Sequence, residues 1–210
     1  MPFQLPHALS TPDDQPALEL LRRYYFGDPE TGAQAAVGAA FDGWDSTGTR
    51  AADADRFTAD DLVAVTFLSV NVPATAAAAL LGDRAAEFSG LLTELGEDRD
   101  LVAEEALEDD RWELQKRLCG LRGVNTTIAT KLIARKRPRL RPIWDKVVAT
   151  VTGTHQRQWE PLRVELGKDD RALHQRLLRL HHDARLPAAV TPLRVFDVIA
   201  WREGKDRKLG

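Results

Sequence analysis

The sequence predicts an all-α protein, and three observations favour this fold class. Apolar residues recur at helical spacing along most of the chain, as at Leu173, Leu177 and Leu180. Residues that typically start or stop helices flank these segments, such as Thr191-Pro192 before the last one. Convincing alternation of apolar and polar residues, which would indicate strands, is missing, although 195–199 would also suit a strand.

Six helices are predicted in the front half of the chain. Pro16 fits the first turn of the first helix, and Thr58 with Asp61 forms a capping arrangement before the third. Gly82 and Gly96 follow two later helices as stop signals. The predicted segments are residues 17–26, an Ala-rich segment ending near 41, and residues 62–70, 74–81, 84–95 and about 101–107.

The back half is predicted to contain a helical hairpin followed by three helices. The hairpin comprises residues 111–121 and 126–136, joined by a tight turn in which Gly123 supplies conformational freedom. Two prolines keep residues 137–143 out of a helix. Asp145 then starts a short helix over 146–152. Further helices are predicted to begin near residues 169–170 and at 191.

Length and composition indicate one globular domain over 1–210, with two possible lobes at 1–97 and 98–210. The chain has 210 residues, 43% of them hydrophobic, which suffices for a substantial core. It has no apolar run approaching 18 residues and no secretory pattern at Met1, so we expect a cytoplasmic protein. The single Cys119 excludes internal disulfides, and the histidines lack metal-ligand spacing. Neither a metal nor a cofactor is expected.

Charge is distributed very unevenly along the chain. Residues 1–113 carry a formal charge of −16, residues 114–146 carry +9 and residues 147–210 carry +4. Asp145 is the only acid between Glu113 and Glu160. This asymmetry suggests an anionic partner for the middle segment. The alternative is that the acidic front half folds over the basic segment and neutralises it.

One motif pair carries most of the functional information. The segment Leu121-Arg122-Gly123-Val124-Asn125-Thr126-Thr127-Ile128-Ala129 reads as a hairpin turn entering a helix, and Asp145 follows Gly123 by 22 positions. Over residues 118–148 this pair resembles the helix-hairpin-helix DNA glycosylase superfamily. The resemblance implies a two-lobed helical fold that contains a helix-hairpin-helix motif, DNA as the partner, and Asp145 as the catalytic carboxylate.

The chain departs from that superfamily at several positions of the hairpin. Arg122 replaces the usual proline and Asn125 the usual second glycine, although asparagine tolerates a left-handed turn. Thr127 stands where bifunctional members carry a lysine that forms a Schiff base, so a lyase step through this position is not expected. The whole chain also resembles a family of uncharacterised bacterial proteins, through the stretches 57–62, 134–138 and 193–197.

The candidate DNA-contacting residues are those of the turn and the basic run behind it. They are Arg122, Gly123, Asn125, Thr126, Thr127, Lys131, Arg135, Lys136, Arg137, Arg139 and Arg141.

Three functions remain open at this point. The first is a DNA-binding protein that acts as a monofunctional base-excision N-glycosylase, with Asp145 stabilising a cation-like sugar. The second is a non-catalytic nucleic-acid-binding module, in which Asp145 only caps a helix. The third is an interaction or structural protein whose basic segment pairs with its own acidic half.

Overall fold

The computed structural model describes residues 3–105, 113–154 and 159–209, and it confirms the all-α prediction. Within these ranges the regular structure is helical, apart from one isolated bridge between Asp28 and Ala33. The α-helices are α1 (His7–Ser10), α2 (Gln15–Phe26), α3 (Ala40–Gly43), α4 (Ala59–Thr66), α5 (Ala74–Leu81), α6 (Ala85–Leu95), α7 (Glu113–Cys119), α8 (Thr126–Lys136), α9 (Lys146–Thr152), α10 (Trp159–Asp183) and α11 (Pro192–Asp206). Short 3₁₀ turns occur at Val37–Ala39 and Leu101–Ala103.

Helices α8 and α9 have the bounds that the sequence predicts, because side chains cap them. Asn125 Oδ1 accepts a hydrogen bond from the Ile128 amide at 3.0 Å, and Asp145 Oδ1 accepts one from the Val147 amide at 2.9 Å. A tight turn joins α7 to α8, which pack against each other. Predicted hairpin residues 111 and 112 lie outside the described ranges.

The prediction of an Ala-rich helix ending near residue 41 is wrong for residues 33–36. The Asp28 amide donates to the Ala33 carbonyl at 2.7 Å, and the Ala36 amide donates to the Tyr24 carbonyl at 2.8 Å. These backbone bonds keep the segment beside the end of α2, so that helical structure begins only at Val37.

Other predicted helices also differ in their bounds, and α7 ends at Cys119 rather than at residue 121. The Thr58–Asp61 capping box is present, but α4 ends at Thr66 and Ser69 adopts a left-handed φ of 60°. The predicted helix at 101–107 is a 3₁₀ turn up to Ala103, and its last two residues lie outside the described ranges. Helix α10 starts earlier than predicted and is interrupted by non-helical backbone at residues 168–171.

Two clusters of buried apolar side chains form the main core. One joins α4 to α8 and includes Phe88, Leu118 and Leu132. The other joins α1, α2, α10 and α11 and includes Leu21 and Phe196. Each cluster therefore combines residues from before and after position 97, where the sequence suggested a boundary between lobes.

Helices α9 and α11 pack unusually closely at Gly204. A Cβ atom at this position would overlap Val147 Cγ1 and would lie 2.9 Å from Val151 Cγ2. Asp145 caps α9 and Asp197 lies on α11, so this contact sets the relative position of the two carboxylates. In the described part of the chain, no helix is sufficiently long and apolar to cross a membrane.

Candidate functional site

A cleft of about 400 Å³ lies beside the α7–α8 hairpin, and we call it the central cleft. Its walls are the start of α8, the start of α9, one face of α11, residues 67–70 after α4, and residues 36–38 together with Tyr24 of α2. The charged residues that line it are Lys131, Asp145, Arg194, Asp197 and Lys205. Of the site residues predicted from the sequence, the structure brings Thr127, Lys131 and Asp145 together in this cleft.

Asp145 uses its two carboxylate oxygens differently. Oδ1 accepts the Val147 amide that begins α9, and Oδ2 lies 3.6 Å from the Lys131 ammonium nitrogen. The side chain is 21% exposed and lines the central cleft. A capping role is therefore compatible with a second role toward a ligand.

Lys131 is buried between two partners. Its Nζ donates to the Leu68 carbonyl at 2.8 Å and forms the ion pair with Asp145. Burial lowers the pKa of Lys131, and the neighbouring Asp145 carboxylate opposes that change. Lys131 therefore tethers the 67–70 wall of the cleft to α8, and its positive charge offsets the negative charge of the Asp145 carboxylate.

Asp197 and Arg194 are site residues that the sequence prediction missed. They lie one turn apart on α11 and form a buried ion pair through Asp197 Oδ2 and Arg194 Nη1. A signal was present, because two charges stand within the otherwise apolar stretch 193–200. A buried charged pair on an apolar helix face needs a specific reason to be there.

Asp197 is an unusual carboxylate. It is only 4% exposed, and its Oδ1 has no hydrogen-bond partner among the described residues. Burial raises the pKa of Asp197 to about 6; the Arg194 guanidinium opposes this change, and the Asp145 carboxylate reinforces it. The central cleft thus holds two interacting carboxylates in different environments.

Three aromatic residues line the cleft, namely Tyr24, Phe67 and Trp201. Trp201 lies on α11 and is half-buried, with Lys205 Nζ 5.7 Å from its ring centroid. Phe67 follows α4 and packs edge-to-face against Trp44, with the centroids 5.2 Å apart. Their surfaces give the cleft an apolar component that suits a planar ligand.

Most of the cations that the sequence selects as candidate DNA contacts are buried in the folded chain. Arg135 donates to Asp61 at 3.2 Å and to the Phe41 carbonyl at 2.9 Å. Lys136 Nζ lies 2.5 Å from the other Asp61 oxygen. The buried members are Lys131, Arg135, Lys136, Arg137 and Arg141. Charges hidden in this way cannot meet a phosphate. The alternative interpretation, in which the acidic front half covers the basic segment, describes Arg135, Lys136 and Arg137, which pair with Asp61 and Asp55.

The remaining predicted contact residues occupy the surface. Turn residues Arg122, Gly123, Asn125 and Thr126 are exposed. Arg139 is also exposed and pairs with Asp100 at 2.6 Å.

Two exposed lysines that the sequence prediction did not select lie in the cleft wall or next to it in sequence. They are Lys146, directly after Asp145, and Lys205, in the cleft wall. Arg122 of the turn is exposed as well, so all three cations are accessible to a phosphate.

Gly123 is required by both its conformation and its surroundings. Its φ is +84°, and a Cβ atom there would lie 2.9 Å from Pro73 Cγ. The turn of the hairpin therefore packs on the start of α5, next to the 67–70 segment.

The described residues contain no group of three histidine, cysteine, aspartate or glutamate side chains that could hold a metal ion. Residues 17–204 match a family of unknown function, DUF6308. No curated protein and no solved structure matches the chain significantly.

Proposed function

The chain belongs to this family of unknown function, and we propose that it is a DNA-binding protein of helix-hairpin-helix glycosylase-like build that acts as a monofunctional base-excision N-glycosylase. The observation that supports this proposal best is the position of Asp145. Its side chain lines a cleft beside the hairpin, where Oδ2 pairs with Lys131 while Oδ1 holds the start of α9.

In the proposed complex, DNA contacts the hairpin turn and the mouth of the central cleft. The N-terminus of α8 follows the exposed turn, and a helix N-terminus attracts phosphate through its amides and its dipole. Exposed Arg122, Lys146 and Lys205 add positive charge on the same part of the molecule. These contacts would position the duplex without reading its sequence.

A single nucleotide swung out of the duplex would enter the central cleft. A volume of about 400 Å³ lies within the range of small-molecule sites and suits one base with its sugar. The Asp145 carboxylate would then stabilise positive charge on the sugar, or activate water, as the bond to the base breaks. The leaving base would be released and an abasic site would remain.

A hydrolytic reaction fits these residues better than one that forms an imine. Thr127 has no amine, and the Lys131 ammonium is held by the Leu68 carbonyl and Asp145. The product is therefore expected to be an intact strand that breaks only after alkali treatment.

The test is a panel of labelled duplexes that carry uracil, oxidised, alkylated or mismatched bases. Each is incubated with wild type, with Asp145→Asn, and with Asp170→Asn, a control at an exposed position of α10. Asparagine retains the cap of α9, so the variant changes charge with little effect on folding. We expect alkali-dependent cleavage that falls by at least tenfold in Asp145→Asn only.

A non-catalytic DNA-binding module is the second candidate, and the capping bond of Asp145 favours it. In that case Asp145→Asn and wild type would bind duplex DNA equally and neither would release a base. Strand cleavage without alkali would contradict the monofunctional reaction.

A further inference from the structure

We infer that Trp201 and Lys205 form a subsite for a nucleoside monophosphate, in which the indole ring stacks on the base and the ammonium group pairs with the phosphate. This inference deepens the proposed function, on which it rests for the nucleotide character of the ligand. Two sources supply this ligand chemistry, namely a free nucleoside monophosphate and a nucleotide swung out of DNA.

The first observation is the charge balance of the central cleft. Four of the charged residues that line it are held in ion pairs, Lys131 with Asp145 and Arg194 with Asp197. Lys205 also lines the cleft and is exposed, and it forms no ion pair with a carboxylate of the described residues. An anionic group of a ligand would therefore meet an accessible cation that has no partner charge.

The second observation is where the Lys205 ammonium lies. Its Nζ is over the ring of Trp201, 5.7 Å from the centroid, and the two residues are four apart on α11 and share a helix face. A cation–π contact at an exposed position is weak, so the flexible side chain can leave the ring for a phosphate. A nucleoside monophosphate carries the complementary pair, a planar base and an anion, within one small molecule.

The third observation is that the Trp201 ring is held in place. It is half-buried and packs edge-to-face against Tyr24, with the centroids 6.0 Å apart. Phe67 and Val70 line the same cleft and are also half-buried, so a base bound there meets further apolar surface. Every base has an aromatic face, so stacking on such a ring tolerates any base. The phosphate is then the group on which binding should depend most clearly.

Asp145 restricts where the phosphate can lie. Its side chain is 21% exposed and lines the same cleft, and its negative charge repels a phosphate. The phosphate is therefore favoured at Lys205. A nucleotide held there would bring its bond between base and sugar into the cleft that contains the Asp145 carboxylate.

The probes are the common 2′-deoxynucleoside 5′-monophosphates and the matching 2′-deoxynucleosides, which differ only by the phosphate. Their binding to the full chain is measured by ligand-observed NMR at about pH 7.5, where the phosphate carries nearly two negative charges. At low salt we expect monophosphates to bind about fivefold or more tightly than their nucleosides, with a difference that shrinks as salt is added. The base protons should shift upfield on binding, because the base lies on an aromatic ring.

Equal affinity of monophosphates and nucleosides would overturn the inference. The same holds if none of the monophosphates binds up to its solubility. Both comparisons use the wild-type chain, so neither depends on the folding of a variant.

Variants assign the two contacts to their residues. Lys205→Gln should lower the affinity for monophosphates to that for nucleosides and leave nucleoside binding unchanged. Lys116→Gln, at an exposed position of α7 outside the cleft, is the matched control and should change neither. Trp201→Leu should weaken both kinds of ligand, and circular dichroism checks that it is folded. A Lys205→Gln variant that keeps the preference for the phosphate would contradict the subsite.

The inference and the proposed function can fail separately. Displacement of a bound duplex by monophosphates would assign the subsite to a nucleotide of DNA. Binding of monophosphates without binding of any duplex would assign it to free nucleotides, which supports the inference and refutes the DNA glycosylase. Base release from a duplex at a rate that Trp201→Leu leaves unchanged would refute the subsite and retain the glycosylase.

Discussion

Arg135 Nε lies 3.2 Å from Asp61 Oδ1, and their side chains are 0% and 1% exposed, respectively. This pair joins the basic middle segment to the acidic front half across 74 residues of sequence. At this point, positive charge of the middle segment is therefore paired with negative charge of the front half inside the folded protein.

We predict that Asp61→Ala destabilises the protein by about 3–5 kcal/mol, because it leaves two buried cations without their carboxylate. Lys136 loses its partner at 2.5 Å together with Arg135. Urea denaturation measures the change, and Glu94→Ala, at an exposed position of α6, serves as the control. A loss below about 1 kcal/mol would show that the pair is not important for stability.

Gly123→Ala is predicted to cost more than Gly32→Ala, although both residues have positive φ. Either substitution forces alanine into a left-handed conformation at about 1–2 kcal/mol. A Cβ at Gly123 would also lie 2.9 Å from Pro73 Cγ, whereas nothing lies within 4 Å of one at Gly32. Thermal unfolding of the two variants isolates the contact with Pro73, and equal losses would contradict it.

Stability should depend on pH through Asp197. Because burial raises its pKa from about 3.8 to about 6, the folded protein binds this proton more tightly than the unfolded chain. The contribution of Asp197 to the free energy of unfolding is therefore fully present below about pH 4 and is lost as pH rises through 6.

Asp197→Asn lacks this titration, so its stability relative to wild type should rise by up to about 3 kcal/mol between pH 4 and pH 7. Urea denaturation of both proteins at several pH values measures the difference. Other carboxylates titrate in both proteins and cancel. Parallel stability curves would contradict the environment described for Asp197.

DNA binding, where it occurs, should depend on exposed rather than buried cations. Arg122→Ala, Lys146→Ala and Lys205→Ala should each weaken binding on all sequences and reduce the salt slope by about 1. Arg179→Ala, exposed on α10, is the matched control. Fluorescence anisotropy at several salt concentrations measures both quantities.

Substitution of the buried cations should have a different effect. Arg137 donates to the Leu92 carbonyl at 2.8 Å and pairs with Asp55, so Arg137→Ala should lower stability. A variant that keeps full stability but loses DNA affinity would contradict the structural role of Arg137.

Local signals predicted the parts of the fold that local interactions determine. Helices α8 and α9 begin next to residues whose own side chains cap them, and Asp145 marked the start of α9 correctly. Asn125 was assigned to a left-handed turn, but its φ is −99° and it caps α8 instead. The segment 33–36 was predicted incorrectly, because its backbone bonds to α2 depend on the course of the chain.

The candidate site was predictable where a motif carried it. Asp145 was selected by its spacing from Gly123, and it does line a cleft beside the hairpin. The burial of Arg135 and Lys136 was not predictable from sequence. The sequence around a charged residue does not show whether its side chain faces solvent or a carboxylate 74 residues away. Asp197 was missed because its unpaired oxygen is a property of packing alone.

The close contact at Gly204 has a consequence for how the central cleft adapts to different ligands. Val147 and Val151 are the side chains nearest to Gly204, and both have little rotameric freedom in a helix. Helices α9 and α11 therefore form one rigid wall of the cleft. Another wall is the short segment 67–70, which the Lys131 hydrogen bond to the Leu68 carbonyl ties to α8. We expect any accommodation of a larger ligand to occur in that segment. If members of the family bind ligands of different size, their sequences should differ at residues 67–70. The distance between the Asp145 and Asp197 carboxylates should stay constant.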